Sequence, residues 1–308
     1  MKILITGGTG MVGHSFNEVD TDHEIISVGS KNFDLTDSQQ VFWMYRMLKP
    51  DAVIHLAARV GGVKGNTEYV ADFFTENILI NTNVLSGAQK YGINKVVSLL
   101  STCVYPDKVT YPLTEDQIHN GEPHPSNFGY AYAKRMLDVQ SRAYRQQYGC
   151  NFITAVPNNL YGPHDNFDLE NGHVIPAIIR KVWEAKMNNT TPIFWGDGTS
   201  MREFTYASDI AAILIYLLEE YNGQNPINIG IPNQRSIRSV VELVCSNLNY
   251  KGDVYWDIDK PMGQFKKPSS NVALIEAGWP QDGYTKFGDG IKKTCDWFMS
   301  VYPNARGV

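Results

Sequence analysis

The sequence predicts an α/β protein: a doubly wound parallel sheet, elaborated by a smaller C-terminal α/β lobe. Three observations predict it. Short apolar runs alternate with helical stretches of roughly 10 to 20 residues through the first half, the mark of βαβ units with a sheet covered on both faces. A glycine-rich turn, Gly7-Gly8-Thr9-Gly10-Met11-Val12-Gly13, follows the first apolar run directly. The length of 308 residues suits two domains, or one large sheet domain with an elaborated lobe.

Taken in order, Lys2–Thr6 reads as a buried strand, and the glycine turn opens a helix. Glu24–Val28 is a second strand. Asp37 or Ser38 caps a helix that ends before Pro50. Residues 52–57 form a third strand, 72–91 a long helix, and 96–100 a fourth strand. A helix over 130–147 leads to a strand over 152–156. Beyond Gly162 the texture changes. Residues 163–167 and 196–199 are loop-rich, a helix begins near Ser208-Asp209, 227–229 returns to a strand, and Ser236 caps a helix over 237–248. We expect a Rossmann-type dinucleotide-binding domain of residues 1–164 with about 203–232, and a substrate lobe of about 165–202 with 233–308.

Composition narrows the partners. Lysine and arginine total 27 against 32 acidic residues, a net charge of −5, so no basic excess points to nucleic acid. Hydrophobic residues make up 43% and charged residues 19%, enough for a sizeable core. No apolar run approaches the roughly 18 residues of a membrane span. Glycines interrupt the N-terminus too early for a signal-peptide apolar core. The four cysteines, Cys103, Cys150, Cys245 and Cys295, are scattered and form no CxxC pair. A soluble, cytoplasmic protein with reduced thiols is expected. The histidines show no metal-ligand spacing, so no metal site is expected, and His55, inside an apolar strand, reads as a satisfied core histidine.

The glycine turn carries the first chemistry. Gly7, Gly10 and Gly13 lie between the first strand and the first helix, where side chains would block a pyrophosphate from the helix N-terminus. The second strand ends in Gly29-Ser30-Lys31, with no acidic residue at its tip for a ribose 2′-hydroxyl. Lys31, with Ser30, suits a 2′-phosphate, so NADP is the expected cofactor.

Tyr130 and Lys134 are four apart on one helix face. A nearby ammonium favours the phenolate, so Lys134 is expected to lower the Tyr130 pKa. Ser101, 29 residues earlier, sits at the carboxyl end of the strand over 96–100, where open α/β sheets carry their sites. Glycine loop, strand-end serine and Tyr/Lys helix, in this order, form a specific combination.

On these motifs the chain resembles the extended short-chain dehydrogenase/reductase superfamily over essentially its whole length. Ser101-Thr102-Cys103-Val104-Tyr105-Pro106, the segments 159–167 and 173–177, and Trp195-Gly196-Asp197-Gly198 with Met201-Arg202-Glu203-Phe204 sharpen it. They resemble the GDP-4-keto-6-deoxy-D-mannose 3,5-epimerase/4-reductase family. That resemblance implies epimerisation at C3 and C5, then NADPH-dependent reduction at C4 to GDP-L-fucose. It implies a reductase triad of Ser101, Tyr130 and Lys134, with Cys103 and His173 as epimerase base and acid. It implies NADPH contacts from Gly7, Gly8, Thr9, Gly10, Met11, Val12, Gly13, Ser30, Lys31, Leu35, Ala57, Leu99, Leu100, Ser101, Lys134, Pro157, Asn159, Leu160 and His173. Lys181, Trp195 and Arg202 match positions that contact the GDP-sugar. Ser270, in the run 265–270, stands where some members place a substrate-contacting aspartate. A homodimer is implied too, and the apolar stretches 72–91 and 130–147 could pair as its four-helix interface.

The residue types suit that chemistry. A 4-keto sugar has acidified C–H bonds at C3 and C5, and inverting them needs a base on one face and an acid on the other. Cys103 lies two residues past Ser101, so in an extended segment both side chains share a face. A thiolate is a competent base where its site lowers the thiol pKa, and His173 is a suitable acid. Rival readings remain open at this point. A nucleotide-sugar 4,6-dehydratase needs an Asp-Glu pair after the serine, where this chain has Cys103-Val104. A UDP-sugar 4-epimerase does not need Cys103 and His173 in those roles. A non-catalytic NADP-binding module tends to lose the tyrosine or lysine, and both are present.

Overall fold

The structure is a computed structural model, described for residues 1–260 and 266–308, except the side chains of Val63 and Lys64. Phe265, in the run 265–270, lies outside the described residues. In chain order the first half comprises β1 (Lys2–Thr6), α1 (Met11–Ser15), β2 (Glu24–Val28), α2 (Ser38–Leu48), β3 (Ala52–His55), α3 (Val63–Glu68), α4 (Val70–Lys90), β4 (Lys95–Leu99), α5 (Phe128–Tyr148) and β5 (Asn151–Val156). The rest comprises β6 (Asn159–Tyr161), α6 (Val174–Asn188), β7 (Ile193–Trp195), β8 (Met201–Tyr206), α7 (Ala207–Glu220), β9 (Ile227–Asn228), β10 (Gln234–Ser236), α8 (Ile237–Asn247), β11 (Tyr255–Asp257), α9 (Val272–Glu276) and α10 (Phe287–Val301).

Six strands form one sheet in the order β2-β1-β3-β4-β5-β9, and every pair in it is parallel. Its strands are apolar on both faces because both are covered. Along β1, Ile3 and Ile5 pack with Val12 of α1 and with Ile210, Leu214 and Leu217 of α7. Leu4, between them, packs on the other side with Met44 of α2, Leu85 of α4 and Leu137 of α5. That alternation is the period of two that a strand imposes. The chain leaves β1 toward β2 on one side and returns with β3 on the other. The turns after β1 and β3 therefore part at the carboxyl edge and open a crevice there.

The local signals explain the boundaries. Asp37 accepts the Gln39 N–H at 2.8 Å to start α2, and Ser236 accepts the Ser239 N–H at 3.1 Å to start α8. The helix expected over 72–91 is α4, and a short helix, α3, precedes it, separated from it at Tyr69, where φ and ψ of −115° and 43° are not helical. The third strand ends at His55, not at residue 57: beyond it the Leu56 N–H still donates to the Thr6 carbonyl at 3.1 Å, but the Ala57 N–H turns to the Thr6 hydroxyl at 3.4 Å.

A third apolar cluster lies outside the sheet. Ile178 and Val182 of α6, Val241 and Val244 of α8, and Cys295 and Phe298 of α10 pack against Phe194 of β7 and Phe204 of β8. Around it stand a three-stranded sheet, β10-β8-β6, and the parallel pair β11-β7. Within 233–308, Leu274 of α9 packs back into the cluster beneath α7, and Trp279 meets Tyr216 edge-on at 5.4 Å. Among the described residues, no helix is long and apolar enough to cross a membrane.

Candidate active site

The turn after β1 runs through Gly7, whose φ of +74° lies in the left-handed region. A Cβ on Gly7 would stand 2.7 Å from the Ala57 nitrogen, and one on Gly13 2.5 Å from the Gly8 backbone. The loop is pinned by the Gly8 N–H on the Val28 carbonyl (2.8 Å), the Gly10 N–H on the Gly7 carbonyl (3.0 Å) and the His14 N–H on the Gly10 carbonyl (2.9 Å). Gly10 caps α1 without a side chain, leaving the helix-opening N–H groups facing outward. Thr9 is exposed, Met11 half-buried and Val12 buried. This bare-backbone cradle fits a pyrophosphate.

At the end of β2, Ser30 and Lys31 are exposed, and Asn32 Oδ1 accepts the Gly29 N–H at 2.9 Å. Leu35 is half-buried, its carbonyl accepting from Asn83 Nδ2 of α4 at 2.9 Å. Lys31→Asp puts a carboxylate where the lysine stood. The ratio of kcat/KM for NADPH over NADH is expected to fall about tenfold or more, from like-charge repulsion with the 2′-phosphate. An unchanged ratio would place the 2′-phosphate elsewhere.

Leu99 and Leu100 bring β4 to Ser101, which opens a 3₁₀ turn over Thr102–Val104. The Ser101 Oγ accepts the Cys103 N–H at 3.4 Å. The extended segment expected here is thus a turn, because the serine hydroxyl caps the N–H two residues on and winds the chain. The two side chains come together through that cap, not through strand alternation. From α5, the buried Lys134 donates from Nζ to the Leu99 carbonyl at 2.7 Å, 6.0 Å from the centre of the Tyr130 ring. Ser101, Cys103, Tyr130 and Lys134 therefore form one cluster at the carboxyl end of β4.

The electrostatics correct one expectation. Burial pushes the Tyr130 phenol well above its ordinary range, and charge on Cys103 would raise it further. Lys134 does not lower it: the ammonium is directed at Leu99, and burial brings its own pKa down to about 8. Burial likewise raises the Cys103 thiol, opposed by the Ser101 hydroxyl and then by the charges of Lys267, Lys134 and Arg135. Lys267 Nζ donates to the Thr102 carbonyl at 2.9 Å, and Arg135 Nε to the Val104 carbonyl at 2.6 Å. Sequence reasoning singled out neither. Lys267 had a signal only in the Lys266-Lys267-Pro268 run, and Arg135 none beyond following Lys134.

His55 is the satisfied core histidine expected. Its Nδ1 lies 2.7 Å from Thr6 Oγ1, and its Nε2 lies 3.1 Å from Asn81 Oδ1. Burial, aided by the Lys134 charge, pushes its pKa down to about 3. Asn81 Nδ2 reaches the Ala133 carbonyl at 3.4 Å, so this chain of bonds ties β1 and β3 to α5.

His173 stands at the start of α6 with its ring 60% exposed. Its Nδ1 lies 3.3 Å from the buried Asp165 carboxylate, which raises the imidazole pKa. Asp165, eight positions earlier, was not singled out from sequence. Among the described residues no hydrogen bond joins His173 to Cys103 or Tyr130. Pro157 is buried after β5, Leu160 is half-buried, and Asn159 Nδ2 donates to the Glu203 carbonyl at 2.8 Å.

Lys181, Trp195 and Arg202 line one cavity of about 260 Å³, with Val174, Phe194 and Ile237 among its walls. Lys181 Nζ donates to the Ile193 carbonyl at 3.0 Å, and Trp195 is 60% exposed. Val174 of the cavity wall follows His173 directly in the chain, but His173 itself is not among the residues that line the cavity. The Ser270 N–H donates to the Leu113 carbonyl at 3.0 Å, its carbonyl accepts from Asn228 Nδ2 at 2.9 Å, and its hydroxyl accepts the Val272 N–H at 3.4 Å.

A glycine cradle at the switch point of a parallel sheet, beside a strand-end Ser and a helical Tyr/Lys pair, defines a nicotinamide-dinucleotide enzyme of the short-chain dehydrogenase type. Residues 3–230 match the model described as the NAD dependent epimerase/dehydratase family, and the chain belongs to that family. It is 42% identical to GDP-L-fucose synthase of Dictyostelium discoideum, over 99% of this chain and 97% of that one. It is 36% identical to GDP-L-colitose synthase of Yersinia pseudotuberculosis, over 99% and 100%. A GDP-L-fucose synthetase from Naegleria fowleri, solved bound to NADP, superimposes with a TM-score of 0.95 at 38% identity, over 99% of this chain and 94% of that one.

Proposed function

We propose that this protein converts GDP-4-keto-6-deoxy-D-mannose to GDP-L-fucose, epimerising C3 and C5 and then reducing C4 with NADPH. One observation carries the reading: a thiol, Cys103, lies in a turn capped by Ser101, inside the same cluster as Tyr130 and Lys134. A plain reductase has no use for it. The relatives named GDP-L-fucose synthase support the substrate class.

The roles follow from the chemistry. As thiolate, Cys103 takes the proton from C3 or C5 and becomes a thiol. The Ser101 and Tyr130 hydroxyls hold the C4 oxygen, where negative charge collects. His173 returns a proton on the opposite face, and its Asp165 partner keeps it protonated to higher pH than a free imidazole. Tyr130 then protonates the C4 oxygen. NADPH, when bound, supplies the hydride to C4. In the cavity, the Lys181 and Arg202 cations suit a diphosphate, and the exposed Trp195 ring suits a stacked base.

On this reading the sheet domain holds NADPH and the lobe holds the GDP-sugar. We also read the protein as a cytoplasmic homodimer. Four free cysteines accord with a reducing compartment. Exposed Phe74 and Leu79 on α4, with Met136 and Val139 on α5, offer an apolar face for the four-helix contact.

Incubation with NADPH and GDP-4-keto-6-deoxy-D-mannose, with the product read by NMR, tests the reaction. Stoichiometric NADPH oxidation and GDP-L-fucose are expected. A product that keeps its original C3 and C5 configurations, or no NADPH oxidation, would overturn the assignment.

A further inference from the structure

The peptide unit joining Thr102 to Cys103 is held at both ends. Its N–H donates to Ser101 Oγ at 3.4 Å, and its carbonyl accepts from Lys267 Nζ at 2.9 Å. Lys267 comes from a segment beyond β11, and that segment is itself fastened. The Leu113 N–H donates to the Pro268 carbonyl at 2.9 Å, and the Ser270 N–H returns a bond to the Leu113 carbonyl at 3.0 Å. Glu203, on β8 beside Arg202, is buried and accepts from the Ser269 N–H at 3.1 Å and from the Ser269 hydroxyl at 2.5 Å. The lysine is thus presented by a backbone pinned on two sides.

Its surroundings set the charge. Burial lowers the Lys267 pKa, a charge on Cys103 opposes that, and Arg202 and Asp107 act in opposite directions, with no carboxylate within ion-pair distance among the described residues. The groups facing Cys103 are Ser101, Tyr130, Lys134, Arg135 and Lys267. None of the five is an acid bearing charge at neutral pH, and three are cations. Lys134 is directed at Leu99, and Arg135 at the Val104 and Gly121 carbonyls. Lys267 donates to the Cys103 peptide unit itself, and its charge favours the thiolate more than either of the others.

We infer that Lys267 is a positioning residue for Cys103, its ammonium clamping the Thr102–Cys103 peptide and placing beside the thiol a positive charge that favours the thiolate. This deepens the reading above and rests on Cys103 as the epimerase base. Burial alone would leave that thiol protonated at neutral pH, so the base needs a nearby cation. The cation is delivered by the segment that Glu203 ties to β8, next to Arg202 in the sugar-nucleotide cavity.

Alkylation of Cys103 by iodoacetamide as a function of pH tests the inference without substrate, with the modified peptide identified by mass spectrometry. Lys267→Met removes clamp and charge, and Lys267→Gln keeps a donor for the Thr102 carbonyl but no charge. In both, the alkylation midpoint should rise by about one unit or more, a rate about tenfold lower at pH 7. Lys267→Arg should restore most of it. NADPH binding and thermal unfolding check the fold, and Lys267→Gln decides alone if the methionine variant does not fold. The pH profile of deuterium exchange at C3 and C5 should move the same way. Unchanged midpoint and profile would overturn the inference, and a higher KM for the sugar nucleotide alone would instead give Lys267 to its diphosphate. Intact exchange in Cys103→Ser would reject Cys103 as base, while the alkylation midpoint would still report on Lys267.

Discussion

Cys103→Ser is expected to lower solvent deuterium exchange at C3 and C5 of the 4-keto sugar by about 10² to 10⁴-fold, the range for loss of one general base. Exchange is measured without reducing cofactor, so it isolates epimerisation. A serine hydroxyl is a far weaker acid than a thiol, so it supplies far less of the anion that takes the proton. The turn should survive the change, because neither of its bonds uses the residue-103 side chain: the residue-103 N–H donates to Ser101 Oγ, and Lys267 Nζ donates to the Thr102 carbonyl. Ser101, Tyr130 and Lys134 remain to hold and protonate the C4 oxygen. Residual NADPH-dependent turnover should therefore yield unepimerised or partly epimerised 6-deoxyhexose. Wild-type exchange in this variant, with cofactor binding intact, would make Cys103 a packed thiol.

Tyr130→Phe should cut NADPH oxidation by about 10² to 10⁴-fold while leaving thermal unfolding unchanged. Only the hydroxyl is lost, and the ring keeps its place on α5. The raised phenol pKa fits the role of proton donor, because the group stays protonated throughout the neutral range. Lys134 titrates nearer to neutrality, at about 8, so an alkaline limb in the reduction rate belongs to it before it belongs to Tyr130. Near-normal NADPH oxidation by the phenylalanine variant would remove Tyr130 from the reaction.

The two variants draw on information of different origin. Tyr130 and Lys134 are readable as a pair because a helix places residues four apart on one face, wherever that helix lies. Ser101 is readable because apolar strand signals locate a strand end. Cys103 is harder: its proximity to Ser101 holds, but by a 3₁₀ turn and not by the strand geometry that spacing suggests. The phenol pKa departs from the sequence expectation for a similar reason. Spacing shows that an ammonium is near, and not that its donor bond goes to Leu99 while burial dominates. Asp165 beneath His173 and Lys267 beneath Thr102 were invisible, since neither sits at a spacing any local element dictates.

The sequence by itself determined what local physics governs. The period of apolar residues dictates strands and helices, the glycines set the turn after β1, and alternating strands and helices demand a parallel sheet with a crevice at its carboxyl edge. Only the tertiary structure decided the environment of each reactive group. Hydrogen bonds such as Lys267 to Thr102 and Glu203 to Ser269 join residues far apart in sequence. Desolvation depends on everything packed around a side chain. Ionisation is the sum of those distant contributions, so the thiol, phenol and imidazole take their character from the fold and not from their neighbours along the chain.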